Sequence, residues 1–119
     1  MFFDDEQDIL YTFKAGLASE RYNVETFVDS MEALAHFTKL SPSYYNLAIL
    51  DIRMPRLNGL QLYYRLKAIN RYIKILFVSA LDAVPELISI LPDISTTDDI
   101  IKKPVTLDDL VKAVKTALA

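Results

Sequence analysis

The 119-residue sequence contains no cysteine and only two glycines. The lack of cysteine excludes disulfides, thiolate catalysis and cysteine-based metal sites. Two glycines leave little room for a glycine-rich phosphate loop. No segment approaches the roughly 18 apolar residues that a membrane-spanning helix needs. The first residues, 1–6, lack the charged start and apolar core of a signal peptide. We therefore expect a cytoplasmic protein that does not contact a membrane.

Composition and charge are those of an ordinary globular domain. The chain is 52% hydrophobic and 24% charged, with a net charge of −3, which is typical of soluble proteins. The net negative charge argues against nucleic acid as a direct partner. The length suits one domain with a sizeable core. We therefore expect residues 1–119 to form a single domain.

Short apolar runs alternate with helix-period stretches along the chain. Strands are predicted at residues 2–3, 24–28, 47–51, 75–79 and 100–101. Helices are predicted at residues 6–19, 59–69 and 84–91, after a cap at Asp29 or Ser30, and after a capping box at residues 106–109. The alternation predicts a flavodoxin-like (βα)5 fold of the α/β class. Its sheet is open and parallel, in the order 2-1-3-4-5, with helices on both faces.

Two predicted helices carry apolar residues at helical spacing. In the second helix these residues are Met31, Leu34 and Phe37. In the fifth helix they are Leu107, Leu110, Val111, Val114 and Leu118. Both sets recur at the three- and four-residue spacing of one helical face.

Polar side chains stand at the predicted ends of four strands. Asp51 ends the apolar run 47–50, and a carboxylate there costs free energy unless something pairs with it. The other strand-end residues are Asp4, Asp5, Ser79 and Lys103. Ligands of open parallel sheets bind at the carboxyl ends of the strands. We therefore expect these side chains to share one pocket.

Three neighbouring carboxylates need a counter-charge. At an effective dielectric near 20, each close pair costs about 4 kcal/mol, unless a proton or a cation intervenes. Mg²⁺ suits such a site because it takes one or two carboxylates and keeps several waters. A carboxylate can also attack phosphorus and form an aspartyl phosphate. Asp51 is the natural nucleophile because it ends the most apolar strand, whereas Asp4 and Asp5 are better placed as metal ligands.

Four short motifs occur in a fixed order along nearly the whole chain. They are Asp4-Asp5-Glu6, Asp51 followed by Met54-Pro55 and Gly59, Ser79-Ala80, and Lys103-Pro104. Together they resemble the receiver domains of two-component response regulators, which are phosphoproteins of signal transduction.

The resemblance implies a role for each site residue. Asp51 would accept a phosphoryl group from a sensor histidine kinase or a phosphotransfer protein. Asp51 and Asp5 would bind Mg²⁺ directly, Asp4 would bind it through water, and the backbone carbonyl of Arg53 would be a further ligand. Ser79 and Lys103 would bond phosphoryl oxygens.

The resemblance also implies an output surface. Movement of Ser79 would reshape the face of the fourth helix, fifth strand and fifth helix. An unknown output partner, or a second copy in a homodimer, would bind that face. The chain would then be a signalling switch rather than a turnover enzyme.

Three departures from the family pattern support an alternative, a non-switching interaction or dimerisation module. Only three residues precede the acidic pair, so the first strand should be short and should cost stability. Ile100 stands where receivers commonly carry an aromatic residue. The segment 83–99, with prolines at 85 and 92, differs from the usual fourth helix.

Other interpretations of the same residues stay open at this point. Asp51 could be a plain strand end, the acidic pair could be the first turn of a helix, and Ser79 could be an ordinary strand-end serine. A phosphatase of the haloacid-dehalogenase type is disfavoured because Arg53 stands where those enzymes carry a second acid. The only histidine, His36, is interpreted as a surface or half-buried residue rather than a ligand, and the tyrosine pair at residues 44–45 is interpreted as packing residues.

Overall fold

Five strands alternate with five helices in the computed structural model, which describes residues 1–4, 6–41, 44–52, 59–80, 84–91 and 99–119. Within these ranges the strands are β1 (Phe2–Phe3), β2 (Thr26–Phe27), β3 (Leu47–Asp51), β4 (Lys74–Ser79) and β5 (Ile100–Lys102). The helices are α1 (Gln7–Ser19), α2 (Ser30–Lys39), α3 (Gly59–Ile69), α4 (Val84–Ile90) and α5 (Leu107–Leu118).

The five strands form one parallel sheet in the order β2-β1-β3-β4-β5, which confirms the predicted topology. The central strand β3 is buried along its whole length. Phe3 is in register with Leu50, so Asp4 follows β1 beside the end of β3. Ser79 is in register with Lys102. The four predicted strand ends therefore lie along one edge of the sheet.

The two faces of the sheet carry separate apolar clusters because alternate residues of a strand point to opposite faces. One face presents Phe3, Ala48, Leu50, Phe77 and Ile100 to buried residues of α2, α3 and α4. The other presents Phe2, Leu47, Ile49, Leu76, Val78 and Ile101 to buried residues of α1 and α5. This is the predicted arrangement of helices on both faces. None of the helices in the described ranges is long and apolar enough to cross a membrane.

Two helices begin at the capping residues that the sequence indicates. Asp29 precedes α2, and its carboxylate accepts a hydrogen bond from the Met31 amide at 3.0 Å. Thr106 precedes α5, and its hydroxyl oxygen accepts from the Asp109 amide at 3.1 Å. These side chains satisfy amide groups that the first turn of a helix leaves without a partner.

One detail of the sequence interpretation was wrong, because strand β2 has two residues rather than the five predicted at 24–28. In α2, Met31 belongs to the apolar repeat but is 59% exposed, while Ala33 and Phe37 face the core. In α5 the ends of the predicted apolar face, Leu107 and Leu118, are more than one-third exposed, and Leu110 and Val114 carry the burial. Residues 42–43 of the predicted loop lie outside the described ranges.

Strand β1 is as short as predicted, and backbone hydrogen bonds hold it on both sides. On the β3 side, the Ile49 amide donates to the Met1 carbonyl at 2.9 Å. On the β2 side, the Phe2 amide donates to the Glu25 carbonyl at 2.9 Å. The Asp4 amide donates to the Phe27 carbonyl at 3.1 Å. The backbone of Asp4 is therefore tied to strand β2, at the outer edge of the sheet.

Candidate functional site

Asp51 lies at the end of β3 with 1% of its surface exposed. The Lys103 ammonium is 2.9 Å from Oδ1 of Asp51 and forms an ion pair with it. A buried carboxylate without a counter-charge would cost several kcal/mol, on the order of 3–5 kcal/mol where one partner of a buried pair is removed. One-quarter of the Lys103 side chain is exposed, so its charge reaches both the carboxylate and the solvent.

The chain path at the end of β5 decides which lysine meets Asp51. Lys102 is the last residue of β5 and is exposed. The Lys103 amide donates to the Ser79 carbonyl at 2.8 Å. This hydrogen bond holds the backbone of Lys103 beside the end of β4, from where its side chain extends to Asp51.

Asp4 follows β1 and is 1% exposed. Its Oδ1 accepts a hydrogen bond from the Glu6 amide at 2.8 Å, just before α1 begins. The register of β1 with β3 places Asp4 next to Asp51 at the sheet edge. Asp4 thus fixes the entry into α1 and also brings a second buried carboxylate to the site.

Ser79 is fully buried at the end of β4. Its hydroxyl donates to the Ala80 carbonyl at 3.1 Å, and its own carbonyl accepts from Lys103. Ser79 therefore contacts the backbone of Lys103 and has a hydroxyl at the same edge as Asp51. That hydroxyl must turn away from Ala80 before it can bond a ligand in the site.

Two predicted metal ligands, Asp5 and the carbonyl of Arg53, lie outside the described residues. Among the residues that the structure does describe, no group of three or more histidines and acids could hold a metal ion. Asp4 and Asp51 are two buried carboxylates at this edge, and all their donor atoms are oxygen. Such donors suit a hard cation like Mg²⁺, which needs only one or two carboxylates.

An apolar pocket of about 530 Å³ adjoins Lys103. Its walls come from α1 and from the turn between β5 and α5, and they consist of Ile9, Phe13, Ala80, Lys103, Pro104 and Val105. This pocket was not predictable from the sequence, because its walls come from α1, the residue after β4 and the turn before α5, which are far apart along the chain.

A second polar cluster lies at the opposite, amino-terminal ends of the strands. Glu25 precedes β2, and its Oε2 accepts a hydrogen bond from the Tyr45 hydroxyl at 2.7 Å. The same oxygen lies 2.7 Å from Nε2 of His36 on α2. Oε1 accepts from the Tyr44 hydroxyl at 3.0 Å. Three side chains, from α2 and from the segment before β3, thus meet at one carboxylate, and we call these four residues the Glu25 cluster.

Sequence reasoning treated His36 and the tyrosine pair as packing or surface residues and missed Glu25. The tyrosines do pack, since Tyr45 stacks on Phe37 with ring centroids 5.9 Å apart and Tyr44 meets Tyr45 edge-on at 4.9 Å. The signal that was available is a charged residue within the predicted strand 24–28. It could not be paired with its partners without knowing which strands are neighbours.

The hydrogen bond from Tyr45 holds the pKa of Glu25 below its ordinary value of 4.5, with help from Tyr44 and His36. A carboxylate with a lowered pKa stabilises the fold at pH values above its unfolded-state pKa, and that contribution disappears as the pH falls through its folded-state pKa. Below about pH 4.5, the unfolding free energy of the native protein should therefore fall more steeply than that of a Glu25→Gln variant.

Urea unfolding between pH 3 and 7 measures this difference. Glu20→Gln is the matched control, because Glu20 is an exposed glutamate 3.6 Å from Lys115 and lies outside the Glu25 cluster. Parallel pH profiles for the native protein and the Glu25→Gln variant would contradict the prediction.

Comparison with known proteins agrees with the predicted fold and family. The family model for the response regulator receiver domain matches residues 1–115. This chain therefore belongs to the response regulator receiver domain family, the family that the four motifs predicted. Members of this family are modules of two-component signalling, in which phosphorylation and Mg²⁺ binding are general features.

Two curated relatives are mycobacterial. The transcriptional regulatory protein TrcR of Mycobacterium tuberculosis is 34% identical over 108 residues, which cover 91% of this chain and 40% of TrcR. The transcriptional regulatory protein PrrA of Mycobacterium leprae is 32% identical over 115 residues, covering 97% of this chain and 47% of PrrA. The chain thus spans about half the length of these relatives or less.

Solved structures share the architecture. A receiver domain protein from Clostridium thermocellum superposes with a TM-score of 0.85 at 26% identity, covering 98% of this chain and 90% of the other. A CheY-like receiver domain protein from Methanospirillum hungatei gives 0.82 at 28% identity, with the same two coverages.

Proposed function

We propose that this chain is a phosphorylation-dependent switch in which Asp51 accepts a phosphoryl group from a histidine kinase or a phosphotransfer protein. The observation that supports this most directly is the 2.9 Å contact between the Lys103 ammonium and buried Asp51. Asp4 and Ser79 belong to the same sheet edge. A nucleophile, a cation and a hydroxyl are the parts that phosphoryl transfer requires.

In the proposed reaction, a carboxylate oxygen of Asp51 attacks the phosphorus of a phosphohistidine. The new O–P bond forms as the N–P bond breaks, and the imidazole leaves with its electron pair and takes up a proton. The Lys103 ammonium pairs with Asp51 and orients it beforehand, and it pairs with a phosphoryl oxygen afterwards. The Ser79 hydroxyl turns from the Ala80 carbonyl to a second phosphoryl oxygen.

Magnesium is the proposed cofactor because buried oxygen ligands stand beside Asp51. Asp4 and Asp51 would hold the ion, with Asp5 and the Arg53 carbonyl completing the set that the family pattern implies. When bound, Mg²⁺ would neutralise charge on the phosphoryl oxygens. Asp4 would serve as an outer ligand, while its bond to the Glu6 amide keeps its orientation constant.

The pocket beside Lys103 is a suitable docking surface for the phosphoryl donor. Its apolar walls, with Ile9 and Phe13 on one side and Pro104 and Val105 on the other, adjoin the side chain that contacts Asp51. A kinase or phosphotransfer domain bound there would bring its phosphohistidine to the open edge of the site. Apolar surface next to a charged centre is a common basis of specific docking.

The output surface is proposed to be the face of α4, β5 and α5. The Lys103 amide is bonded to the Ser79 carbonyl, so a movement of Ser79 reaches β5 directly. Ile100 is 5% exposed within the core cluster, so this output would not depend on the turning of an aromatic ring. The mycobacterial relatives are named transcriptional regulatory proteins, and we propose a regulatory partner, or a second copy, for this face.

The test is direct phosphorylation with a small-molecule donor. After incubation with acetyl phosphate and Mg²⁺, intact-mass spectrometry should show one added phosphoryl group that is stable in acid and labile in base. Borohydride reduction of the adduct should convert residue 51 to homoserine. An unmodified mass after prolonged incubation, or an adduct mapped to another residue, would overturn the assignment.

A non-switching interaction module is the second candidate, because the buried aliphatic Ile100 occupies the place of an aromatic residue. Beryllofluoride, a stable mimic of the phosphoryl group, separates the two functions. A switch should show NMR shift changes in β5 and α5 when beryllofluoride and Mg²⁺ are added together. Changes confined to the residues around Asp51 would favour the module.

A further inference from the structure

Strand β1 depends on its two neighbours because it has only two residues. One neighbour is β3, a five-residue buried strand at the centre of the sheet. The other neighbour is β2, a two-residue strand that ends the sheet. The Asp4 amide is hydrogen-bonded to the Phe27 carbonyl of β2. The position of the Asp4 backbone therefore depends on the contacts that hold β2 in place.

The Glu25 cluster is what anchors β2 at its beginning. The Glu25 carbonyl accepts from the Phe2 amide, while its carboxylate joins Tyr44, Tyr45 and His36. These partners belong to α2 and to the segment before β3, so the carboxylate connects the edge strand to two other elements. His36 also packs against Phe27, with ring centroids 5.3 Å apart.

The two ends of β2 therefore perform linked tasks. At its start, Glu25 is fixed by three side chains. At its end, two residues further on, the Phe27 carbonyl accepts the hydrogen bond of the Asp4 amide. Because consecutive Cα atoms are about 3.8 Å apart, a displacement of Glu25 should also displace Phe27, which is only two residues away.

We propose that Glu25 is a positioning residue for Asp4, which it holds through strand β2 so that the Asp4 carboxylate stays in place for a divalent cation. This inference rests on the proposed function, in which Asp4 is a magnesium ligand. It adds a residue at the opposite edge of the sheet that no strand-end pattern identifies. Glu25 touches neither the phosphoryl group nor the metal, so its effect is transmitted by the backbone, through β2 to the Asp4 amide and through the Phe2 amide to β1.

Native-state hydrogen exchange, followed by NMR, tests this proposal without any activity measurement. In a Glu25→Gln variant, exchange of the Asp4 amide should accelerate about tenfold relative to exchange of the Phe77 amide in the sheet centre. General destabilisation would speed both amides by the same factor. Tyr45→Phe is a milder variant that removes one hydroxyl, and it should give a smaller change in the same direction.

Glu20→Gln and Tyr72→Phe are the matched controls, because both residues are exposed and lie outside the Glu25 cluster. Neither should change the ratio of the two exchange rates. Equal acceleration of Asp4 and Phe77 in the Glu25→Gln variant would overturn the proposal.

Magnesium titration followed by NMR shifts gives the second measurement. The Glu25→Gln variant should bind Mg²⁺ about threefold more weakly than the native protein, and the Glu20→Gln variant should bind it equally well. Equal affinity in the two variants would contradict the proposal. If the native protein itself binds no Mg²⁺, the proposed function fails, while the exchange ratio still decides whether Glu25 positions Asp4.

Discussion

Replacement of Asp51 by Asn should abolish the phosphoryl adduct. The amide of Asn is a far weaker nucleophile than a carboxylate. Among the described residues at this edge, only Asp51 is both buried and paired with a lysine, which lies 2.9 Å away. The substitution changes little in volume, and the Asn carbonyl oxygen can still accept a hydrogen bond from Lys103. The fold should therefore survive, so that the loss reports on chemistry rather than on unfolding.

The measurement is intact-mass spectrometry or a phosphate-affinity gel after treatment with acetyl phosphate and Mg²⁺. Asp109→Asn is a suitable control, since Asp109 is an exposed aspartate in the first turn of α5. That variant should be labelled like the native protein. Persistence of an acid-stable, base-labile adduct in the Asp51→Asn variant would refute the assignment of Asp51 as the phosphoacceptor.

Most of the fold was predictable because its strands and helices have clear periodicity. The predicted bounds of β3 and α3 match the structure, and β4 and β5 differ by one residue at one end. Strand-end residues were predictable as a group, because every parallel strand ends at the same edge. That rule alone brings Asp4, Asp51 and Lys103 together.

Other features depend on contacts that no local pattern encodes. Met31 fits the apolar period of α2 but is exposed, because the direction of the inward face is decided by what α2 packs against. Strand β2 ends early because pairing with a two-residue β1 offers no further partners. The Glu25 cluster joins residues 11 to 20 positions apart, so its members look unrelated along the chain.

The two sheet edges thus differ in how readily the sequence discloses them. At the carboxyl edge, each site residue ends a strand or directly follows one, so it is found from the strand alone. At the amino edge, Glu25 acts with residues of a helix and a connecting segment. In our proposal, the site at the carboxyl edge depends on the Glu25 cluster at the amino edge, and the two-residue strand β2 connects them.

Replacing Gly59 by alanine should destabilise the fold by about 2 kcal/mol, within the usual range for overpacking of about 1–3 kcal/mol. A Cβ at this position would overlap the carbonyl oxygen of Asp51, and it would lie 2.9 Å from the carbonyl carbon. These are backbone atoms of a buried central strand, so they cannot move aside as a side chain would. Gly59 is also the first residue of α3, so the alanine gains little helix propensity in return.

Gly16→Ala is the matched control, because it is the only other glycine in the chain. The three atoms nearest to its Cβ would all belong to the Leu107 side chain, with Cδ2 at 2.6 Å, and Leu107 is 37% exposed and able to rotate away. Since Gly16 lies inside α1, the alanine should gain up to about 1 kcal/mol of helix propensity. This variant should be neutral or slightly stabilised.

Urea unfolding of the two variants tests whether an added Cβ destabilises the fold only where it meets backbone atoms, as at Gly59, and not where it meets a side chain, as at Gly16. We expect the midpoint to fall for Gly59→Ala and to stay or rise for Gly16→Ala. Because the strained atoms belong to Asp51, the Gly59→Ala variant should also be phosphorylated more slowly under conditions in which it is fully folded. A Gly59→Ala variant as stable as the native protein would mean that α3 can move away from β3, and that the close approach to Asp51 is not required by the fold.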